Sequence, residues 1–119
     1  MPRLNVSSPQ DSVGNELVMN EKQWQAKVLE FARWNGWHVY HPYYSRRSEP
    51  GWPDLSMIRN GRLVFVELKT RTGRVTADQH RVLSLLDECA GVEVYLWRPN
   101  DWPDVLRVLG RNVARSRAL

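Results

Sequence analysis

The sequence predicts a single α/β domain in which a mixed four-stranded sheet is flanked by helices. Apolar residues recur at helical spacing over residues 21–35 and 77–90, and two strand-like runs flank Asn60-Gly61. A further strand-like run follows the second helix. A chain of 119 residues is long enough for one core and too short for two. The expected order is therefore αβββαβ, followed by a short closing helix.

Composition and charge restrict the class of protein. The hydrophobic fraction of 42% and the charged fraction of 25% are those of an ordinary globular protein. No apolar run approaches the roughly 18 residues of a spanning helix, and no signal peptide is recognisable, so a cytoplasmic protein is expected. The net charge is +4, but residues 1–110 carry 14 basic and 13 acidic side chains. A DNA-binding face would therefore require segregation of charge within the domain.

The first 35 residues divide into a leader and a helix. Residues 1–19 show no sustained period and are expected to be flexible, so the domain is assigned to residues 20–110 and a basic tail to 111–119. Asn20 and Gln23 form the pattern of a capping box, which predicts a helix over residues 21–35 that ends at Gly36. Glu21 lies in its first turn, where a carboxylate favours the helix dipole.

A short strand and a loop follow this helix. Residues 37–41 alternate in the manner of a strand, and Pro42 ends it. The loop that follows contains Ser45, Arg46 and Arg47 beside two tyrosines. Paired arginines beside aromatic and hydroxyl groups suit phosphate contact and base stacking, so we interpret them as DNA-binding residues. A solvated loop without a ligand is the alternative.

Asn60-Gly61 is the strongest local signal in the chain. This dipeptide predicts a two-residue type I′ hairpin, in which opposed positions have numbers that sum to 121. Asp54 then lies opposite Glu67, and like charges at such close range are destabilising. A shared proton or a bound cation would offset the repulsion, and a hard divalent ion suits two carboxylates. Lys69 falls on the same face as Glu67 because side chains alternate along a strand.

The remaining elements follow from capping and periodicity. Residues 70–75 form a basic turn that includes Arg71 and Arg74, and Thr76 with Gln79 predicts a second capping box. Gln79 either caps the helix over residues 77–90 or contacts the substrate near Lys69. The apolar stripe of this helix includes Cys89, which is expected to be a small core residue. Residues 92–97 are expected to form a buried strand parallel to the third, and residues 102–109 a short helix.

These residues carry a resemblance to a known family. Pro53-Asp54 followed by Glu67-Leu68-Lys69 resembles the signature of the PD-(D/E)XK nuclease superfamily. The longer string of Gly51 to Leu55, Glu67 to Lys69 and Gly73 to Gln79 resembles the VRR-NUC family in its small stand-alone form, found in phages and bacteria. The similarity extends over residues 21–109. The resemblance implies a restriction-endonuclease-like fold. It also implies that the protein acts in the cytoplasm of a bacterium or a phage-infected host cell.

The resemblance also implies an activity, namely Mg²⁺- or Mn²⁺-dependent hydrolysis of phosphodiester bonds in branched DNA, such as Holliday junctions or flaps, by a homodimer. Asp54, Glu67, the Leu68 carbonyl and Glu21 are the expected metal ligands. Lys69 and Gln79 complete the expected catalytic set, and the expected DNA contacts are Ser45, Arg46, Arg47, Arg71 and Arg74. The alternatives are a non-catalytic DNA-binding module of the same fold, a sequence-specific restriction-type nuclease, and an unrelated α/β binding protein.

Overall fold

A computed structural model describes residues 18–42 and 49–111 of the chain. The described part is a mixed α/β structure with one four-stranded sheet and three α-helices. No helix within it is long and apolar enough to cross a membrane. In chain order the elements are α1 (Glu21–Trp34), β1 (His38–Tyr40), β2 (Leu55–Arg59), β3 (Arg62–Leu68), α2 (Ala77–Asp87), β4 (Val92–Trp97), a 3₁₀ turn (Pro99–Asp101) and α3 (Trp102–Leu109).

The sheet has the strand order β1-β2-β3-β4. The first two pairings are antiparallel, and β4 is parallel to β3 because α2 serves as the crossover between them. This topology confirms the mixed sheet and the parallel return of the last strand.

The hairpin turn between β2 and β3 sets the register of the site. Asn60 has a φ of 51° and Gly61 a φ of 79°, as a type I′ turn requires. Arg59 pairs with Arg62 and Leu55 pairs with Val66, so the predicted register is confirmed. The next position beyond the Leu55 pair brings Asp54 to the level of Glu67.

The main core lies between one face of the sheet and two helices. α1 contributes Trp24, Val28 and Ala32, and α3 contributes Val105, Val108 and Leu109. The sheet contributes the buried positions Leu55, Met57, Val64, Val66, Leu68 and Trp97. The indole N–H of Trp24 donates to the Trp97 carbonyl at 3.1 Å, so this buried polar group is satisfied. Glu67 alternates with Val66 and Leu68, and therefore faces away from this core, towards α2.

Two expectations about burial are wrong. α2 ends at Asp87 rather than residue 90, and the N–H of Cys89 bonds the Leu86 carbonyl in a tightened last turn. Cys89 is consequently exposed and contributes nothing to the core. β4 is only half-buried apart from the buried Trp97 and the exposed Leu96, because it lies at the edge of the sheet. Its periodicity identified a strand but carried no information about its neighbours.

Candidate active site

The side chain of Asp54 is held by the backbone of the neighbouring strand. Its Oδ2 accepts a hydrogen bond from the N–H of Leu68 at 2.9 Å. β2 begins one residue later, at Leu55, which pairs with Val66. The Asp54 carboxylate therefore binds the backbone of β3 just beyond the last paired residues of the two strands. Asp54 therefore has a fixed orientation at the end of the hairpin, although it lies outside the strand itself.

Glu67 is the most deeply buried charged residue among those described, with 2% of its surface exposed. Its Oε2 accepts a hydrogen bond from Gln79 Nε2 at 2.9 Å and lies 3.6 Å from Lys69 Nζ. The contact confirms that Lys69 and Glu67 share a face. The other oxygen, Oε1, is buried and has no hydrogen-bond partner among the described residues. A buried acceptor without a donor is costly, and each such atom in a native structure calls for an explanation.

The electrostatics of the two carboxyl groups reflect their burial and proximity. Burial, followed by the charge of Asp54, raises the pKa of Glu67 to about 7, against the opposing effect of Lys69. The pKa of Asp54 is also raised, chiefly by burial, while the hydrogen bond from Leu68 opposes the rise. Without a counter-ion the pair therefore resists carrying two negative charges at neutral pH. A proton or a cation relieves this repulsion.

Gln79 caps α2, which is one of the two alternatives expected for this residue, and its side chain also contacts Glu67. Its Oε1 accepts a hydrogen bond from the N–H of Thr76 at 2.9 Å, which completes the capping box, while its Nε2 donates to Glu67. The first turn of α2 is itself held close to the residues before Asp54. A Cβ at Gly51, which has a φ of +89°, would overlap the carbonyl of Asp78. Only glycine allows this approach without strain.

The capping box provides a test of how Gln79 is positioned. We expect Thr76→Ala to lower the free energy of unfolding by about 1 kcal/mol, because it removes the side-chain acceptor of the cap. It should also raise the pKa of Glu67 further, since a loosened Gln79 donates less well to the charged carboxylate. Urea denaturation and a ¹³C NMR titration of the Glu67 carboxyl measure the two effects.

Asn20→Ala is the matched control for this prediction. It removes the equivalent side chain from the capping box of α1, which Asn20 forms with Gln23. A similar loss of stability is expected, with no change in the titration of Glu67. If both variants shifted the pKa of Glu67 equally, the cap of α2 would have no specific role in positioning Gln79.

A cavity of about 840 Å³ opens beside the two carboxylates. Its size lies within the range of ligand-binding sites in proteins, about 300 to 1,000 Å³. One wall is a side of α1, and the other is the turn before Asp54; the lining includes Glu21, Gln25, Leu29, Arg33, Pro50, Trp52, Asp54, Glu67 and Gln79. Glu21 lies in the first turn of its helix and also in the cavity, and its charge contributes to the raised pKa of Asp54.

The predicted DNA-contacting residues fall into two groups. Ser45, Arg46 and Arg47 lie outside the described residues. Arg71 and Arg74 are exposed in the turn after Lys69, and neither lines the cavity.

The turn that carries Arg71 and Arg74 is held by a residue that the sequence did not indicate. Arg98 donates from Nη1 to the carbonyls of Thr70 and Gly73, each at 2.7 Å. A single arginine after a strand carries no pattern that predicts such a contact.

Lys22, Arg33 and Trp52 are among the cavity residues that were not predicted as site residues. Lys22 and Arg33 lie on the side of α1 that also carries Gln25 and Leu29, a spacing of three or four residues that follows the helical repeat. This helical spacing can be read from the sequence, but the prediction for α1 used the apolar stripe, which is centred on the neighbouring face. Trp52 lies directly between the glycine and the proline that precede Asp54.

The donor set can be compared with the needs of a divalent cation. Within residues 18–42 and 49–111, no group of three or more His, Cys, Asp or Glu side chains is arranged to hold a metal ion. Mg²⁺, however, is commonly bound through one or two carboxylates, with water completing its shell. Asp54 and Glu67 supply two carboxylates, and Oε1 of Glu67 is a buried oxygen without a hydrogen-bond partner among the described residues. These residues therefore fit a hydrated Mg²⁺ or Mn²⁺ ion.

The described topology matches the αβββαβ order expected from the sequence. Comparisons with protein-family models, with curated proteins and with solved structures found no match to this chain.

Proposed function

We propose that this protein is a metal-dependent endonuclease of the PD-(D/E)XK type, resembling the VRR-NUC family, that hydrolyses phosphodiester bonds in branched DNA. The observation that carries the proposal is the convergence of Asp54, Glu67 and Lys69 at one end of the hairpin. Glu67 is buried there beside a second acid and retains an oxygen without a donor among the described residues. This arrangement is unfavourable in isolation and becomes useful when a cation is bound.

Each side chain has a distinct part in the proposed reaction. Asp54 and Glu67 would hold Mg²⁺ or Mn²⁺, and Glu21 and the Leu68 carbonyl are further donors that the resemblance implies. A bound ion of this kind supplies charge to polarise a phosphate and lowers the pKa of coordinated water. Gln79 fixes one oxygen of Glu67 through its 2.9 Å hydrogen bond. Lys69 would orient water or offset negative charge that develops on the phosphate.

The fold and the surroundings of the site support this function. The αβββαβ order with an antiparallel hairpin and a parallel last strand is the core that the resemblance implies. The exposed Arg71 and Arg74 follow Lys69 within five residues, so positive charge lies close in sequence to the acidic site. Phosphate contacts from such residues position DNA without reading its sequence, which suits a nuclease selective for structure. The homodimer is part of the same proposal, since two-fold DNA junctions match two-fold proteins.

Cleavage of a substrate panel tests the proposal. Four-way junctions, flaps, linear duplex and single-stranded DNA would be incubated with the purified full-length chain in Mg²⁺, in Mn²⁺ or in EDTA. We expect cleavage of branched substrates with either metal and none in EDTA, because the proposed reaction depends on a bound ion to polarise the phosphate and to lower the pKa of water. Cleavage in EDTA would contradict the metal role. Tight DNA binding without cleavage in either metal would favour the non-catalytic module.

A further inference from the structure

Among the described residues that line the cavity, Trp52 is the one large aromatic side chain, and the proposed chemistry does not use it. It lies two residues before Asp54 and has 46% of its surface exposed. Its ring meets Phe65 edge-on, with the centroids 5.9 Å apart and the planes at 88°. The backbone N–H of Trp52 donates to the Glu49 carbonyl, and the next residue, Pro53, is buried. The backbone of Trp52 is therefore held on both sides, and Phe65 supports one part of the indole while much of the ring remains accessible.

The opposite wall of the cavity carries two positive charges. Lys22 and Arg33 lie on α1, eleven residues apart, which corresponds to about 16 Å along the helix axis. Between them this side of the helix presents the uncharged Gln25 and Leu29. A strand of nucleic acid a few nucleotides long spans a comparable distance.

The described residues that line the cavity carry charges of both signs. Four of them are carboxylates, namely Glu21, Glu49, Asp54 and Glu67, and two are cationic, namely Lys22 and Arg33. With a divalent ion at Asp54 and Glu67, the charges of these six residues and the ion would sum to about zero. Stacking of a base on an aromatic ring would add to DNA binding here without depending on net charge.

We infer that the cavity binds an unpaired stretch of DNA, with one base stacked on Trp52 and phosphates directed towards Lys22 and Arg33. A base within a duplex is already stacked on both faces, so only an unpaired nucleotide can use the indole. The inference rests on the proposed function and narrows its substrate class. The recognised feature is unpaired DNA beside the scissile phosphate, as in a flap or a splayed arm, rather than a fully paired four-way junction.

Binding measurements with matched DNA molecules test this inference. Fluorescence anisotropy would compare a splayed-arm DNA with a fully paired duplex of the same length, with Ca²⁺ replacing Mg²⁺ so that binding is observed without turnover. We expect Trp52→Ala to weaken splayed-arm binding about 5- to 100-fold and to leave duplex binding unchanged. Trp52→Phe should retain most of the affinity, because it keeps an aromatic face.

Trp34→Ala is the matched control, because Trp34 is 83% exposed on α1 but does not line the cavity. It should leave binding of both DNA molecules unchanged. Lys22→Ala and Arg33→Ala should each make the slope of log K against log salt concentration for splayed-arm binding shallower by about one, which corresponds to one phosphate contact. Thermal melting of every variant verifies that it is folded.

The outcomes separate this inference from the proposed function. Equal weakening of duplex and splayed-arm binding by Trp52→Ala, or no weakening of either, would overturn the stacking site even if the wild-type chain cleaves DNA. Failure of Trp52→Phe to restore affinity would also count against stacking. Absence of metal-dependent cleavage by the wild-type chain would refute the nuclease, whereas a selective effect of Trp52→Ala would still establish the binding site.

Discussion

Replacing Lys69 with Ala should lower the cleavage rate about 10²- to 10³-fold at saturating metal, while DNA binding changes little. The expected size is that of removing one preorganised group that stabilises charge in the transition state. Lys69 is only 14% exposed, and its Nζ lies 3.6 Å from Glu67 Oε2, so its ammonium is confined to the acidic end of the hairpin. Single-turnover cleavage of a branched substrate measures the effect.

Lys69 has a second influence that the experiment must separate from the first. Its charge lowers the pKa of Glu67, so its removal strengthens proton competition at the proposed metal site. A full titration with Mg²⁺ at two pH values distinguishes the two effects, since weakened metal binding is overcome by more metal or fewer protons. Complete recovery of the wild-type rate under those conditions would show that Lys69 only tunes metal affinity.

Lys27→Ala is the matched control for this variant. The Lys27 ammonium lies 4.2 Å from the centroid of the Trp102 ring and outside the cavity. Lys27 therefore carries the same charge as Lys69 but lies outside the cavity. We expect its replacement to leave the cleavage rate unchanged, which would show that the loss in Lys69→Ala does not arise from the change in net charge.

The parts of the structure that the sequence predicted well are those set by local geometry. The turn at Asn60-Gly61 requires positive φ at two successive residues, so a single dipeptide determined the register of β2 and β3. Both capping boxes follow from side chains three residues apart. The proximity of Asp54, Glu67 and Lys69 was predictable because strand register and the alternation of side chains are enough to derive it.

The parts that were missed depend on contacts distant in sequence. Cys89 matched the apolar stripe of α2, yet it is exposed because the helix ends two residues earlier and only Val82 of this helix is buried. The close approach of Gly51 to Asp78 and the bonds from Arg98 join segments more than 20 residues apart. Periodicity describes one element at a time, and therefore could not reveal that the cavity lies between α1 and the turn before Asp54.

In the absence of metal, Glu67→Gln should be more stable than the wild-type chain at pH 8, by roughly 2 kcal/mol. The pKa of Glu67 is about 7 in the folded protein, against an ordinary value of 4.5, because burial and Asp54 disfavour the charged carboxylate. A shift of one pKa unit corresponds to about 1.4 kcal/mol. The expected difference in stability is smaller than the whole shift would give, because the site relaxes around the charged carboxylate. Urea denaturation in EDTA measures the difference.

The sign of the pH dependence follows from proton binding. Between pH 4.5 and about 7 the folded chain binds more protons at Glu67 than the unfolded chain does, so stability falls as pH rises through this window. Stabilisation by the protonated carboxyl is fully present below pH 4.5 and is lost above about pH 7. The advantage of Glu67→Gln should therefore be largest at pH 8 and disappear near pH 4.5.

Added metal should reverse this order, which makes the stability measurement a test of the site that is independent of cleavage. Mg²⁺ that binds only the folded state stabilises that state by mass action, and Glu67→Gln lacks the charged ligand for it.

Glu93→Gln is the matched control, since Glu93 on the neighbouring strand forms a bidentate salt bridge with Arg62, with hydrogen bonds of 2.7 and 2.8 Å. That variant should gain no stability at pH 8. If Glu67→Gln were also no more stable than the wild-type chain in EDTA, the charge of Glu67 would already be compensated by the protein, and the need for a cation would disappear.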